Sequence, residues 1–331
     1  IIKEVGVMAL FTMKRSGGWK DYRFLYGCDF GYDSFDRFGS SVAPLRDVNN
    51  DSQTDMALGA YNADGGGAVT VIFRETDTTE GACSGEDVFN HTQITPSTLG
   101  ITAKYFGYSL ASTYFFNETK FDLVVGGSTD DGDVRFIKFD NAGRSTATWA
   151  LSASSLGYYG SGYHIGSAVA VLPDMDGNGA LELLVGMQYA DGGAGGILLL
   201  FMQQGYAKVA RIKLITRSSL SRRLTSDAEF GASLTLVSYN DTIVVVAVGA
   251  PKVDFTTASS TSYDESGSVV LLYFAMDGTI VDDYRLSDLR NIEDTQAVPL
   301  APSAYSHFGS ALAGVNDLDG DGLSDLFVGS S

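Results

Sequence analysis

A short unit recurs five times along this chain, and that repetition constrains the fold more than any other feature. Each copy opens on an aromatic or apolar residue, then Gly, then small residues. The openings are Phe38-Gly39-Ser40, Phe106-Gly107-Tyr108, Ile165-Gly166-Ser167, Phe230-Gly231-Ala232 and Phe308-Gly309-Ser310. About twenty residues later comes an apolar run ending in Gly: Leu58-Gly59, Val125-Gly126, Val185-Gly186, Val248-Gly249 and Val328-Gly329. Self-similarity at a fixed period marks a repeat architecture, in which each unit buries its apolar faces against its neighbours.

Three of the five units carry a nine-residue acidic loop between the two signals. The loops run Asp47 to Asp55, Asp174 to Glu182 and Asp317 to Asp325. Oxygen side chains at positions 1, 3, 5 and 9, with the backbone carbonyl of position 7, can wrap one hard cation. The expected ligands are Asp47, Asn49, Asp51, Gln53 and Asp55; Asp174, Asp176, Asn178, Ala180 and Glu182; and Asp317, Asp319, Asp321, Leu323 and Asp325. Gln53, Ala180 and Leu323 would each contribute the backbone oxygen. Ca²⁺ suits six to eight oxygens in a flexible shell, so about three structural Ca²⁺ are expected. The Gly-to-Gly distance is 20 residues in these three units and 19 and 18 in the other two. Loop length and loop chemistry are thus lost together, and no metal is expected in the units at 107 to 126 and 231 to 249.

The combined signature resembles the FG-GAP repeat, the unit of the integrin α-subunit β-propeller. The resemblance implies an all-β fold of four-stranded antiparallel blades, with Ca²⁺ in the turn between the first two strands of a blade. Each unit offers strand-length apolar runs; in the third they are 167–172, 181–186, 196–202 and 209–215. Ser/Thr-containing stretches ending at Leu99, Leu156, Leu220 and Leu289 follow the fourth run. Residues 1–27 hold two runs but no opening, and residues 308–331 hold an opening, a loop and two runs. One domain over 1–331 is expected, with blades at 38–105, 106–164, 165–229 and 230–307, and a fifth joining 308–331 to 1–37. That joint removes exposed sheet edges. Closure through a neighbouring molecule, building a fibre, is the alternative.

Composition narrows the partners. Among 331 residues, 40 Asp and Glu outweigh 22 Lys and Arg, for a formal charge of -18. Nucleic acid and anionic membrane surfaces are therefore poor partners, and three Ca²⁺ would bring the sum to about -12. The longest apolar run, near Ile243 to Val248, has strand length and is too short to span a bilayer. The chain starts at Ile1 rather than Met and is read as processed or as a segment of something longer. Cys28 and Cys83 allow one disulfide in a secreted protein, although simple propeller wiring puts them on opposite faces. Sequons at Asn90, Asn117 and Asn240 fit a eukaryotic secretory route; Asn50 also starts one but lies inside a metal loop.

The face opposite the metal turns collects Tyr32, Asp33, Tyr61, Asp64, Asp130, Asp131, Tyr158, Tyr159, Tyr163, Tyr189, Asp191 and Tyr305. Tyr and acid on loops of a rigid scaffold suit a binding surface, and so do ordinary solvent-exposed turns. The loop from Lys252 to Gly267, rich in Ser and Thr, reads as a binding, O-glycosylated or disordered loop. His164 and His307 directly precede unit openings, and no nucleophile elbow, HExxH or phosphate-binding Gly loop is present. The expectation is a non-enzymatic, extracellular or cell-surface, Ca²⁺-stabilised propeller for adhesion, recognition or assembly, with an extracellular protein or glycan as partner. The alternatives are a lectin-like propeller and, less favoured, the propeller domain of a polysaccharide-active enzyme.

Overall fold

The structure, a computed structural model, describes residues 6–13, 18–74, 78–80, 87–116, 120–128, 132–157, 162–206, 208–221, 223–256, 262–286 and 303–330. The chain divides into two compact units, 1–128 with 133–150, and 129–132 with 151–331. The fold class is that of a β-propeller, all-β and built from four-stranded antiparallel blades.

The first unit opens with a hairpin of β1 (Val7–Met13) and β2 (Trp19–Tyr26). The first blade follows, from β3 (Phe38–Pro44), β4 (Met56–Ala60) and β5 (Ala68–Ile72). A small extra hairpin, β6 (Thr78–Glu80) with β7 (Asp87–Phe89), precedes the blade's outer strand β8 (His91–Ile94). The second blade is β9 (Phe106–Ser112), β10 (Leu123–Gly127), β11 (Asp133–Phe139) and β12 (Ser145–Ser152).

The second unit holds the third blade, β13 (Ile165–Leu172), β14 (Glu182–Met187), β15 (Gly196–Met202) and β16 (Val209–Thr216). Its bounds fall within two residues of the runs read from the sequence. The fourth blade begins with β17 (Ser233–Tyr239) and β18 (Ile243–Ala250). A two-residue pairing of β19 (Phe255–Thr256) with β20 (Ser262–Tyr263) interrupts it. It is completed by β21 (Ser268–Ala275) and β22 (Ile280–Arg285). The loop read as binding, glycosylated or disordered thus carries a short ladder; residues 257–261 lie outside the described residues. A last hairpin pairs β23 (Ala311–Val315) with β24 (Asp325–Gly329).

Among the described residues there are four four-stranded blades, and the segments expected to make a fifth are two two-stranded sheets, β1–β2 in the first unit and β23–β24 in the second.

Strand composition follows position in the blade. Every residue of β14 and β15 is buried; with both faces of these strands covered, their sequences are nearly continuous apolar runs rather than alternations. The outer strand β16 is half exposed and carries Arg211 and Lys213. Charge on an outer edge blocks further strand addition. The cores lie between blades. Ala57, Val69 and Val71 of the first blade meet Phe106, Leu123 and Val125 of the second. Leu184, Ile197 and Leu199 of the third share a core with Val246, Val248 and Leu272 of the fourth. Two of the leucines that follow a fourth strand pack here, Leu220 buried within the second core and Leu99 against the first; Leu156 is buried too. Leu289 lies outside the described residues.

The repeated glycines are the joints between blades. Gly231 has φ +95°, and a Cβ there would overlap the carbonyl of Gly196 in the preceding blade. A Cβ on Gly186 would overlap the carbonyl of Gly231. Both positions therefore require Gly, since only it lets the two backbones approach so closely. The neighbouring hydroxyl locks the same joint: Ser41 Oγ donates to Gly107 O at 2.7 Å, and Ser233 Oγ donates to Gly309 O at 2.7 Å.

The N-terminal hairpin can be aligned with a blade position. Gly67, Gly195 and Gly267 each precede a third strand and bridge to the next unit's opening Phe. Gly6 precedes β1, and a Cβ on it would overlap the carbonyl of Phe38. By that equivalence β1 and β2 are third and fourth strands. Phe30, in the 3-10 turn after β2, is buried as the leucines are.

Candidate metal centres and the opposite face

All three acidic loops fold on one backbone scaffold. Position 1 gathers N–H groups: Asp174 accepts from Gly177 at 2.8 Å, Asn178 at 3.1 Å and Gly179 at 2.8 Å. Asp317 accepts from Asp321 at 3.0 Å and Gly322 at 2.8 Å, and Asp47 from Asp51 at 2.9 Å and Ser52 at 2.7 Å. Position 5 folds back on position 7. Asp51, Asn178 and Asp321 accept from Gln53, Ala180 and Leu323 at 2.7, 2.8 and 2.7 Å. Such side-chain-to-backbone bonds are why Asp and Asn fill these turns. The tight path also needs left-handed residues, Gly177 and Gly179 in one loop and Gly320 and Gly322 in another. In the first loop Asn50 and Ser52 take those positions at φ 63° and 72°.

Two loops bring carboxylates together. Oxygen atoms of Asp174, Asp176 and Glu182 lie within 4.8 Å of one another, as do those of Asp317, Asp319 and Asp325. In the first loop the third position is Asn49, which donates to Asp51 Oδ2 at 2.9 Å. The ninth-position acid is anchored twice: Asp55 accepts from Val48 N–H at 2.8 Å and from Arg74 N–H at 3.2 Å. Burial pushes the Asp55 carboxyl up to about 6, the Val48 and Arg74 N–H groups opposing and Asp51 and Asp47 adding to the rise.

Glu182 is the most informative of these residues. It is 0% exposed, its Oε2 accepts from Met202 N–H at 2.6 Å, and its Oε1 has no hydrogen-bond partner among the described residues. Burial pushes its carboxyl up to about 8; the N–H groups of Met202 and Met175 oppose this, and the charges of Asp176 and Asp174 add to it. A fully buried carboxylate oxygen without a partner is costly unless a cation meets it. The donor set is all oxygen and largely anionic, which fits a hard divalent ion.

The second blade meets the equivalent acid with a side-chain cation. Its first turn is short, and Asp122 stands where Glu182 stands in the third blade, accepting from Phe139 N–H at 2.8 Å. Lys138 Nζ donates to Asp122 Oδ1 at 2.9 Å. An ammonium occupies the role a cation would fill. Sequence reading missed this pair; the signal was a lone Lys in β11 opposite the shortened loop. In the fourth blade Asn240 closes a tight turn, its Oδ1 accepting from Thr242 N–H and Ile243 N–H at 2.9 Å each.

The opposite face is more mixed than expected. Tyr32 is buried, not exposed: its hydroxyl bonds Thr70 Oγ1 at 2.7 Å, and burial pushes it up to about 12. It belongs to the core because it follows the buried Phe30 turn and stacks on Phe38. Tyr61 packs on Tyr105 and Tyr108, Tyr189 is edge-on to His164, and Tyr305 is 63% exposed. Tyr163 is partly buried, while Asp33, Asp64 and Asp191 are exposed. Asp130, Asp131, Tyr158 and Tyr159 lie outside the described residues. The histidines make structural contacts: His91 packs on Phe30 and His307 Nε2 pairs with Glu265 at 2.9 Å. Arg37, Tyr105, His164, Glu229 and His307, the residues before the five openings, all have positive φ. This shared kink was not legible, since none of the five is Gly or Asn.

Cys28 is disulfide-bonded; Cys83 lies outside the described residues. Asn90 and Asn240 are exposed, as is Asn50, and Asn117 lies outside the described residues. Among the described residues no helix is long and apolar enough to cross a membrane.

Residues 38–72 match the FG-GAP repeat family. The chain is 24% identical over 239 residues to integrin alpha ina-1 of Caenorhabditis elegans, an alignment covering 68% of this chain and 20% of that protein. It spans about a fifth of that relative's length.

Proposed function

We propose, from the premise that this is an FG-GAP repeat protein similar to integrin α subunits, that it is a non-enzymatic, extracellular or cell-surface propeller for adhesion, recognition or assembly, clipped by about three Ca²⁺. The observation that carries the reading is the buried Glu182, with one oxygen unpartnered and Asp174 and Asp176 beside it. Ca²⁺ would be held by Asp174, Asp176, Asn178, the Ala180 carbonyl and Glu182. The equivalent set at Asp317, Asp319, Asp321, Leu323 and Asp325 would hold a second, and Asp47, Asn49, Asp51, Gln53 and Asp55 a third. The ion would supply positive charge that joins the first two strands of a blade. In an extracellular setting Ca²⁺ would be abundant enough for modest sites to fill. N-glycans at Asn90, Asn117 and Asn240 belong to the same reading.

One domain over 1–331 is part of the proposal, with β23–β24 as the inner and β1–β2 as the outer half of a fifth blade. The equivalence of Gly6 with Gly67, Gly195 and Gly267 supports it.

Native mass spectrometry tests the metal: two to three Ca²⁺ per chain, removed by chelator, are expected, and none bound would overturn the reading. Beads coated with the protein, presented to cells and matrix with and without Ca²⁺, test the role. A lectin-like reading is favoured by one separate feature, a cationic cavity on the third blade.

A further inference from the structure

At the end of the third blade away from its acidic loop lies a cavity of about 430 Å³, within the range of small-ligand sites. Ladder register fixes its place. Ile165 pairs with Met187, Met187 with Gly196, and Gly196 with Thr216, so the starts and ends of all four strands meet there. The opposite end carries Glu182 and the 174–182 loop.

The lining is unusual for a chain of charge -18. Its charged residues are Arg217, Arg223 and Asp191, two cations against one anion. Asp191 holds Arg217 through Nε at 2.9 Å, which fixes the guanidinium in place. No carboxylate of the described residues pairs with Arg223. Thr216 and Ser218 supply hydroxyls, already joined at 2.8 Å. The buried Met187 and the exposed Leu214 give apolar walls, and Tyr163 brings an aromatic ring. The fixed cation, free cation, hydroxyl pair and ring converge on one small space.

We infer that this cavity binds an acidic sugar residue, a pyranose carrying a carboxylate, presented on a glycan. The two guanidiniums would take the carboxylate, Arg being the side chain whose fork matches that geometry. Thr216 and Ser218 would take ring hydroxyls, and Tyr163 would face the apolar side of the ring. A peptide carboxylate would use the arginines but leave the hydroxyls and the ring unused. This inference rests on the recognition reading above and gives it a ligand class.

The test is calorimetric titration of the Ca²⁺-loaded protein with glucuronate, N-acetylneuraminate, glucose and N-acetyl-aspartate amide. At least one acidic sugar should bind, at least tenfold tighter than glucose and the aspartate derivative, and more weakly as salt rises. Arg223→Gln, at an exposed position, should keep the melting temperature and lose at least tenfold in affinity. Arg211→Gln, toward the far end of β16 from the cavity, should change nothing. Equal binding of glucose and the acidic sugars, no binding of either acid, or an unchanged Arg223→Gln affinity would overturn the inference. Tighter binding of the aspartate derivative would assign the cavity to peptide and overturn it too. Bead adhesion that survives Arg223→Gln would sink the cavity alone, whereas adhesion absent from the parent protein would sink the recognition reading.

Discussion

Glu182→Gln should have opposite effects on the metal-free and the Ca²⁺-loaded protein. The substitution is isosteric and leaves an oxygen to accept the Met202 N–H bond, so packing is preserved. What changes is charge. In the metal-free protein burial raises the carboxyl from 4.5 to about 8. A carboxyl raised on folding makes the native state bind more protons than the unfolded one between those two values. Stability of the metal-free protein should therefore fall as pH rises from about 4.5 to about 8, then level off. The slope is at most about 1.4 kcal/mol per pH unit for one proton. At pH 7.5 the solution lies three units above the unfolded value, for a ceiling of about 4 kcal/mol. Local relaxation around the charged form lowers that, and about 2–4 kcal/mol is the expected gain on neutralising the group.

Thermal unfolding followed by circular dichroism reads both signs. With chelator at pH 7.5 the variant should melt about 4–16 °C above the parent, at about 2–4 °C per kcal/mol for a unit of this size. With Ca²⁺ at a hundred times its dissociation constant, the parent gains about 2.7 kcal/mol per occupied site, and the variant should lose the share of the 174–182 loop. The parent should also release a proton on Ca²⁺ binding at pH 7. A variant less stable than the parent in chelator, or one keeping the full Ca²⁺ increment, would refute the reasoning.

Other predictions follow from the blade joints and turns. Gly186→Ala should destabilise by about 3 kcal/mol or more in urea unfolding, because the new methyl would meet the Gly231 carbonyl with no room to shift. Ser233→Ala, which removes a buried hydroxyl bonded to Gly309 O at 2.7 Å, should cost about 1 kcal/mol by the same measurement. Lys138→Met should destabilise the second blade whether or not Ca²⁺ is present, since it strands Asp122; a Ca²⁺-dependent effect in the same melts would argue against the surrogate role. Glycopeptide mapping of protein secreted from eukaryotic cells should find Asn240 and Asn117 occupied. Deleting residues 1–27 should cause aggregation or early unfolding in light scattering and melting curves, and an unchanged monomer would remove β1–β2 from the fold.

What was legible in the sequence was what the backbone forces locally. Gly186 and Gly231 could be read because a close approach between blades admits no side chain. The loop at 174–182 could be read because its turns need Gly at φ above zero and Asp at the position that gathers N–H groups. Strands β13 to β16 could be read because burial on both faces makes inner strands uniformly apolar. Features set by tertiary surroundings were hidden. Tyr32 has the composition of a surface residue, and only the fold brings Thr70 to its hydroxyl. Asp122 and Lys138 lie sixteen positions apart, a distance with no meaning until β10 and β11 pair. Arg217 and Arg223 come to line one cavity only after the fourth strand has ended and the chain has turned. The same separation explains why the two ends of the third blade are marked so differently in the sequence. The acidic loop is a local structure whose spacing does the work, so sequence repeats it. The cavity needs side chains from three strand ends and the turn beyond β16, so one blade can hold it without marking the repeat.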